Sequence, residues 1–258
     1  MKKIETRKAV LLDALKIKKN MDIADVINLL KISEATARRL FTLLQNEGKI
    51  IRTHGGIQYT QDKISDYLFD DFENNQILEK ESIGISAVSL ISNNDIVFLE
   101  AGTTVLRLCY KLAEHIKQGD LNDITVFTNS NANLEVLHAV CKVILIGGEY
   151  RHKRRDFVGF VSEKVILNFR FNQCFLGADG VDLEEGFMTT DIDTAHIDAL
   201  IISRSEKSTI LLDSAKFLKR SLITFASFSD IDCIVTDKNV SNDIRESIES
   251  KNIELICE

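Results

Sequence analysis

Between Asp95 and Leu212, short uninterrupted apolar runs alternate with stretches of helical spacing, and few folds accept that alternation. The pattern predicts strands at 96–99, 124–128, 143–146, 174–177 and 209–212, with helices at 103–115, 131–140, 161–169 and 194–205 between them. Strands that are apolar on both sides must be covered on both sides. The alternation therefore implies an α/β sheet, largely parallel, with helices on either face. One further helix, over 77–91, leads into this body.

Ligands of such sheets gather at the carboxyl ends of the strands. Here those ends read Gly102-Thr103-Thr104, Asn129-Ser130, Gly147-Gly148 and Gly177-Ala178-Asp179-Gly180. Glycines let a ligand approach the backbone, and free amides with threonine hydroxyls at a helix start suit a phosphate without requiring a lysine. Asp179 is placed to accept from sugar hydroxyls, and Lys216 in Asp213-Ser214-Ala215-Lys216-Phe217 to balance a phosphate charge. The expected effector-binding set is thus Gly102, Thr103, Thr104, Asn129, Ser130, Gly147, Gly148, Asp179, Gly180 and Lys216. The basic run Arg151-His152-Lys153-Arg154-Arg155 lacks interleaved aromatics and a helical register, and reads as a solvated loop that could still lend a cation to an anionic ligand.

The first 60 residues obey a different pattern. They carry 12 Lys/Arg against 6 Asp/Glu, whereas the remainder carries 20 against 33, so a basic module sits on an acidic body. Residues 4–16 and 21–30 show helical apolar spacing, and a tight turn at Ile32-Ser33 leads into Glu34-Ala35-Thr36-Ala37-Arg38-Arg39. Ser33 is a good N-cap, and Glu34 suits the positive end of the helix dipole. Ala37, Phe41 and Leu44 share one face, which leaves Thr36, Arg38, Arg39 and Thr42 on the other. Downstream, 49–52 and 57–59 are β-prone around Gly55-Gly56, a hairpin signal. A helix-turn-helix followed by a wing lies on DNA, and clustered positive charge supplies the phosphate attraction this needs. Ser33, Thr36, Arg38, Arg39, Arg52, His54, Gly55 and Gly56 are the expected DNA-binding residues.

These readings divide the chain into a DNA-binding module at 1–60, an acidic linker at 61–76 and an α/β domain at 77–258. No apolar run approaches the ~20 residues of a membrane span, and Asp13 interrupts the one apolar stretch near the start, so a cytoplasmic location and no membrane partner are expected. Five cysteines, odd in number and without a Cys-x-x-Cys pair, read as buried free thiols. The five histidines lack metal-ligand spacing, and neither a metal nor any other cofactor is called for.

The segment 35–56 resembles the DNA-binding signature of the DeoR family of bacterial transcription regulators. The motifs Leu99-Glu100-Ala101-Gly102-Thr103-Thr104, Thr128-Asn129-Ser130, Ile146-Gly147-Gly148, Gly177-Ala178-Asp179-Gly180 and Asp213-Ser214-Ala215-Lys216-Phe217 resemble that family's sugar-phosphate-sensing domain. The resemblance spans almost the whole chain. It implies a repressor of a carbohydrate-utilisation operon, controlled by a phosphorylated sugar, on a sensing domain akin to ribose-5-phosphate isomerase. Four positions depart from the family pattern: Leu40 follows the paired arginines where an acidic residue is usual, Leu43 replaces a polar residue, Glu100 stands for aspartate, and Asp198 for a lysine or arginine.

The alternative is a sugar-phosphate isomerase on the same fold, which would need a carboxylate base from Asp179, Asp182, Glu184 or Glu185. An isomerase has no use for a basic N-terminal module. A regulator does, and since one recognition helix reads too few base pairs for genomic selectivity, a homodimer or homotetramer on a repeated operator is expected.

Overall fold

The computed structural model describes residues 2–18, 20–46, 50–53, 56–59 and 68–258, in two units, Met1–Asp66 and Tyr67–Glu258. In the first unit, α1 (Lys2–Lys18), β1 (Asn20–Asp22), α2 (Ile23–Leu30), α3 (Glu34–Asn46), β2 (Ile50–Thr53) and β3 (Gly56–Tyr59) follow one another. Asp22 caps α2 by accepting from the Asp25 amide at 2.7 Å, and Lys31 in the left-handed conformation ends it. Ser33 then accepts from the Thr36 amide at 3.4 Å, and α3 begins. The core joins Leu11 and Leu15 to Val26, Ala37, Leu40, Phe41, Leu44, Ile50 and Ile57. Leu40 is thereby absorbed into this module's own core, and Leu43 is half-buried.

Met21, expected to open a helix, lies in β1, because Asn20–Asp22 pairs antiparallel with Gly56–Tyr59 as the third strand of a small sheet. The pairing explains Gly56 as well. A Cβ there would stand 2.4 Å from the Met21 carbonyl oxygen, so the close approach of β1 demands glycine.

The second unit opens with α4 (Phe69–Glu73) and α5 (Ile77–Val88), and continues β4 (Ile96–Leu99), α6 (Thr103–Gln118), β5 (Thr125–Thr128), α7 (Asn131–Leu137), β6 (Lys142–Leu145). A hairpin of β7 (Glu149–Arg151) and β8 (Asp156–Val158) precedes α8 (Phe160–Ile166) and β9 (Phe171–Leu176). After β10 (Gly180–Asp182) and β11 (Gly186–Thr189) come α9 (Ile192–Ser203), β12 (Ser205–Leu211), β13 (Ile223–Ala226), β14 (Cys233–Thr236), α10 (Asn242–Glu249) and β15 (Glu254–Cys257). Residues 69–73, read as linker, are thus a helix whose Phe69 is buried and whose first amide donates to the Lys153 carbonyl at 2.8 Å.

Among the described residues, seven strands form one sheet in the order β15-β14-β12-β9-β4-β5-β6, every pair parallel. Alternate strand residues feed two cores. Val97, Leu99 and Phe175 pack with α5, α6 and Leu137 of α7 on one face. Phe98, Cys174 and Leu176 pack with Ile166, Ile197 and Ile244 on the other. The antiparallel sheet β10-β11-β13 was not visible as a pattern, since its strands are short and β10 and β11 are buried nearly throughout, with no alternation. All five thiols are free, and Cys109, Cys174 and Cys233 are buried.

Candidate functional site

In the first unit, α3 presents Arg38 and Arg39 to solvent on the face opposite its buried residues. Arg38 folds back on its own helix, its Nε and Nη2 donating to Glu34 Oε1 at 2.9 and 2.6 Å. Arg39 makes no ion pair among the described residues. Ser33 and Thr36 bond to each other, Oγ to Oγ1, at 2.9 Å at the start of the helix. Gly56 is buried in its pairing with β1, a role in the fold rather than the one expected of it. His54 and Gly55 lie outside the described residues, as does the side chain of Arg52.

The second unit's site follows from strand order. From β4 the chain moves to β5 and β6 on one side, then returns to β9 on the other, so the crevice between the carboxyl ends of β4 and β9 is the topological switch point. Glu100 closes its floor, accepting at Oε2 from the Gly102 amide (2.7 Å) and the Gly177 amide (3.3 Å). Gly102 is the N-cap of α6 and no side chain caps that helix, which leaves first-turn amides for a ligand or water. Thr103 and Thr104 line the same pocket.

The walls are charged. Lys80, Arg154 and Lys216 reach the pocket, as do Asp156, Asp179, Asp198 and Asp213. Burial pushes the Glu100 carboxyl up to about 7, against the amides of Gly177 and Gly102 and with Asp156 and Asp179 adding repulsion. Asp198, buried beside it, is driven well above the carboxylate range by burial and then by Glu100, and its Oδ1 has no hydrogen-bond partner. For Asp179 burial acts upward too, but Lys216 and the hydrogen bonds from Thr190 outweigh it and hold the carboxylate below its usual value. Thr190 gives that carboxylate its amide and its hydroxyl, both at 2.8 Å. Burial lowers the Lys80 ammonium to about 8, with Asp213 opposing and Lys216 reinforcing the shift.

Gly102, Thr103, Thr104, Asp179 and Lys216 are therefore brought together. Five expected residues line other ground. Asn129 donates to the Phe157 carbonyl at 3.1 Å and Ser130 caps α7 through the Asn133 amide, which ties β5 to β8. The Gly147 carbonyl accepts from Ser162, and a Cβ on Gly148 would stand 2.1 Å from Ser162 Oγ, so this glycine pair seats α8. Gly180 is in β10 against the backbone of Lys219.

The run 151–155 is a solvated loop only at His152 and Lys153, which are exposed, whereas Arg151 and Arg154 are half-buried and Arg154 lends the pocket a cation. Arg151 grips Asp156 with two nitrogens (2.9 and 2.5 Å) and reaches Asp191 at 2.6 Å, while Arg154 donates to Thr190 at 3.1 Å and lines the pocket. A uniformly basic run hid this, because its carboxylate partners lie as far as 40 positions away. Lys80 was missed although a signal existed: it shares the stripe of Ile83, Gly84 and Ala87 on α5, and a lysine on a buried stripe needs a partner. Of the isomerase candidates, Asp182 is bound by Arg220 at 2.6 Å, and Glu184 and Glu185 are exposed outside the pocket.

Residues 75–238 match the DeoR C terminal sensor domain and residues 7–63 the DeoR-like helix-turn-helix domain. The lactose phosphotransferase system repressor of Staphylococcus epidermidis is 31% identical over 236 residues, which is 88% of each chain. The HTH-type transcriptional regulator GlpR of Haloferax volcanii is 29% identical over 224 residues, 87% of this chain and 86% of its own. Among solved structures, a D-ribose-5-phosphate isomerase in complex with phospho-erythronic acid aligns with a TM-score of 0.42 at 18% identity, over 54% of this chain and 53% of that one.

Proposed function

Since the chain belongs to the DeoR family of transcriptional regulators, we propose that it represses a carbohydrate-utilisation operon and that a phosphorylated sugar in the strand-end pocket releases it from its operator. The observation that carries this reading is the uncapped start of α6, whose amides open onto a pocket holding both cations and carboxylates. Amides and ammonium groups suit a phosphate. Asp179, Glu100 and Asp198 suit the hydroxyl end, and the orphaned Asp198 Oδ1 awaits a donor.

Residues 1–60 would supply the DNA contacts, with Arg39 free to reach a base edge and Arg38 held by Glu34. No described helix is long and apolar enough to cross a membrane, in keeping with work on cytoplasmic DNA. A dimer or tetramer would place two reading helices on a repeated site, which sedimentation with and without operator DNA tests.

The effector reading is tested by calorimetry on a panel of sugar phosphates and their unphosphorylated sugars. Loss of two charge-assisted hydrogen bonds at about 1.5–3 kcal/mol each should weaken binding of the plain sugar by roughly a hundredfold or more. Thr103→Val should weaken binding of the phosphorylated form. Equal affinity for sugar and sugar phosphate would place the effector elsewhere.

A further inference from the structure

The pocket encloses about 70 Å³, room for a few water molecules, whereas sites that bury an organic ligand run to roughly 300 Å³ or more. One of the side chains that narrow it comes from outside the sheet. Phe72, on the five-residue helix α4, lines the pocket, and a second cleft of about 480 Å³ shares Phe72, Lys80, Asp213 and Lys216 with it. Phe72 and the two lysines thus stand between a space too small for a phosphosugar and one large enough for it.

Besides the buried Phe69, four cations hold α4 in place. Lys80 Nζ donates to the Phe72 carbonyl at 2.5 Å, and Lys216 Nζ lies 5.8 Å from the centre of the Phe72 ring. Arg155 pairs with Asp70 at 2.9 Å and sits 5.5 Å from the centre of the Phe69 ring. Arg107 donates to the Glu73 carbonyl at 3.2 Å. Both lysines also line the pocket, and Arg155 adjoins Arg154, which does so too. The contact between Lys80 and Phe72 is the only hydrogen bond of that buried ammonium among the described residues, so two of its three N–H groups have no protein acceptor.

We propose that Lys80 is an effector-contacting residue and that α4 is a strap which the effector displaces: the ligand's anionic group takes the Lys80 ammonium, with Lys216, from Phe72, and the pocket opens into the neighbouring cleft. This rests on the reading of the pocket as a site for a phosphorylated ligand. α4 begins three residues after the N-terminal unit ends at residue 66, so its displacement acts on the chain that leads to the DNA-reading unit. Binding of effector and operator are then coupled reciprocally. Burial lowers the affinity of Lys80 for its proton, and an anion in the pocket would restore it.

Hydrogen exchange on the full-length protein tests the proposal, with inorganic phosphate as the probe and chloride at matched ionic strength as the reference. Phosphate should protect the amides of residues 103–105 and speed exchange of the Asp71, Phe72 and Asn75 amides, which bond within α4 and its turn, by about tenfold or more. Lys80→Met should exchange quickly at α4 in both salts, with phosphate adding nothing. Exchange in the sheet strands 96–99 and 125–128 reports whether that variant is folded. Phe72→Leu keeps the carbonyl and loses the ring, and should keep the phosphate response from a looser starting point. Protection at 103–105 with α4 unchanged or slowed, or a Lys80→Met protein that responds like the parent, would overturn the strap while leaving the phosphate site standing. No protection at 103–105 would remove the phosphate site and the strap together.

Discussion

The two units hold their charges in opposite ways. On α3, Arg38 and Arg39 stand in solvent on a helix whose far side fills the module's core, while at the strand ends Lys80, Glu100, Asp156 and Asp198 are each less than a tenth exposed. An exposed charge interacts weakly with its own fold, so it is available to a partner. A buried charge is bound to its neighbours, and changing it disturbs the fold as well as the site. The DNA-reading surface is therefore expected to tolerate substitution with altered affinity and little else, whereas pocket substitutions should trade binding against stability.

The largest effect to expect is in the pocket wall. Arg151→Leu leaves the buried Asp156 carboxylate without its two-nitrogen partner and should lower unfolding free energy by about 3–5 kcal/mol. Urea unfolding followed in the second unit measures it. Replacing Arg151 and Asp156 together by leucine should recover much of the loss, and a double variant as unstable as the single would mean that the pair is not what holds this wall.

Next comes a pH effect. The Glu100 carboxyl titrates at about 7 in the fold, above its ordinary 4.5, so the folded state holds an extra proton between those values. Stability from this group is complete below about pH 4.5 and is lost as pH rises through 7, at no more than about 1.4 kcal/mol per pH unit. Glu100→Gln should flatten that slope in chemical unfolding from pH 4.5 to 8. An unchanged slope would put the proton elsewhere.

On the other side of the comparison, Arg39→Ala should weaken operator binding by about 1–3 kcal/mol at fixed salt and relax preference at one base pair. Its thermal stability should shift little, since the side chain is exposed and unpaired among the described residues. Salt-controlled DNA binding beside a melting curve checks both. The smallest effect belongs to Glu34→Ala, which deletes a solvent-exposed pair with Arg38 worth about 0.3–0.5 kcal/mol. If that variant binds operator more tightly, Arg38 is released to contact phosphate.

The same contrast explains what could be read from residues alone. α3 declares itself because Ala37, Phe41 and Leu44 recur at helical spacing and its function sits on the opposite face of the same short segment. The parallel sheet was legible for a related reason, since each strand is a continuous apolar run. The pocket is assembled instead from segments as distant as Phe72 and Lys216, and local reading finds only those parts that follow a strand end, Gly102 to Thr104, Asp179 and Lys216. It misses Phe72 and Lys80 on the helices before the sheet. Gly147 and Gly148 carry that same signature but seat α8, so small residues at a turn mark close approach of something, and only the fold says whether it is ligand or backbone. Arg151 shows the converse, a residue assigned to solvent whose partners Asp156 and Asp191 become visible only when β7, β8 and α9 meet.

The central claim is that occupation of the pocket at the start of α6 changes hold on DNA. Fluorescence anisotropy of the full-length protein on operator DNA, titrated with a panel of sugar phosphates and their plain sugars, tests it most directly. The account predicts that at least one sugar phosphate weakens operator affinity by about tenfold or more, within the usual range of coupling free energies. Its plain sugar should leave affinity unchanged, and Thr103→Val should bind operator normally but lose the response. A response equal for sugar and sugar phosphate, or undiminished in Thr103→Val, would contradict it.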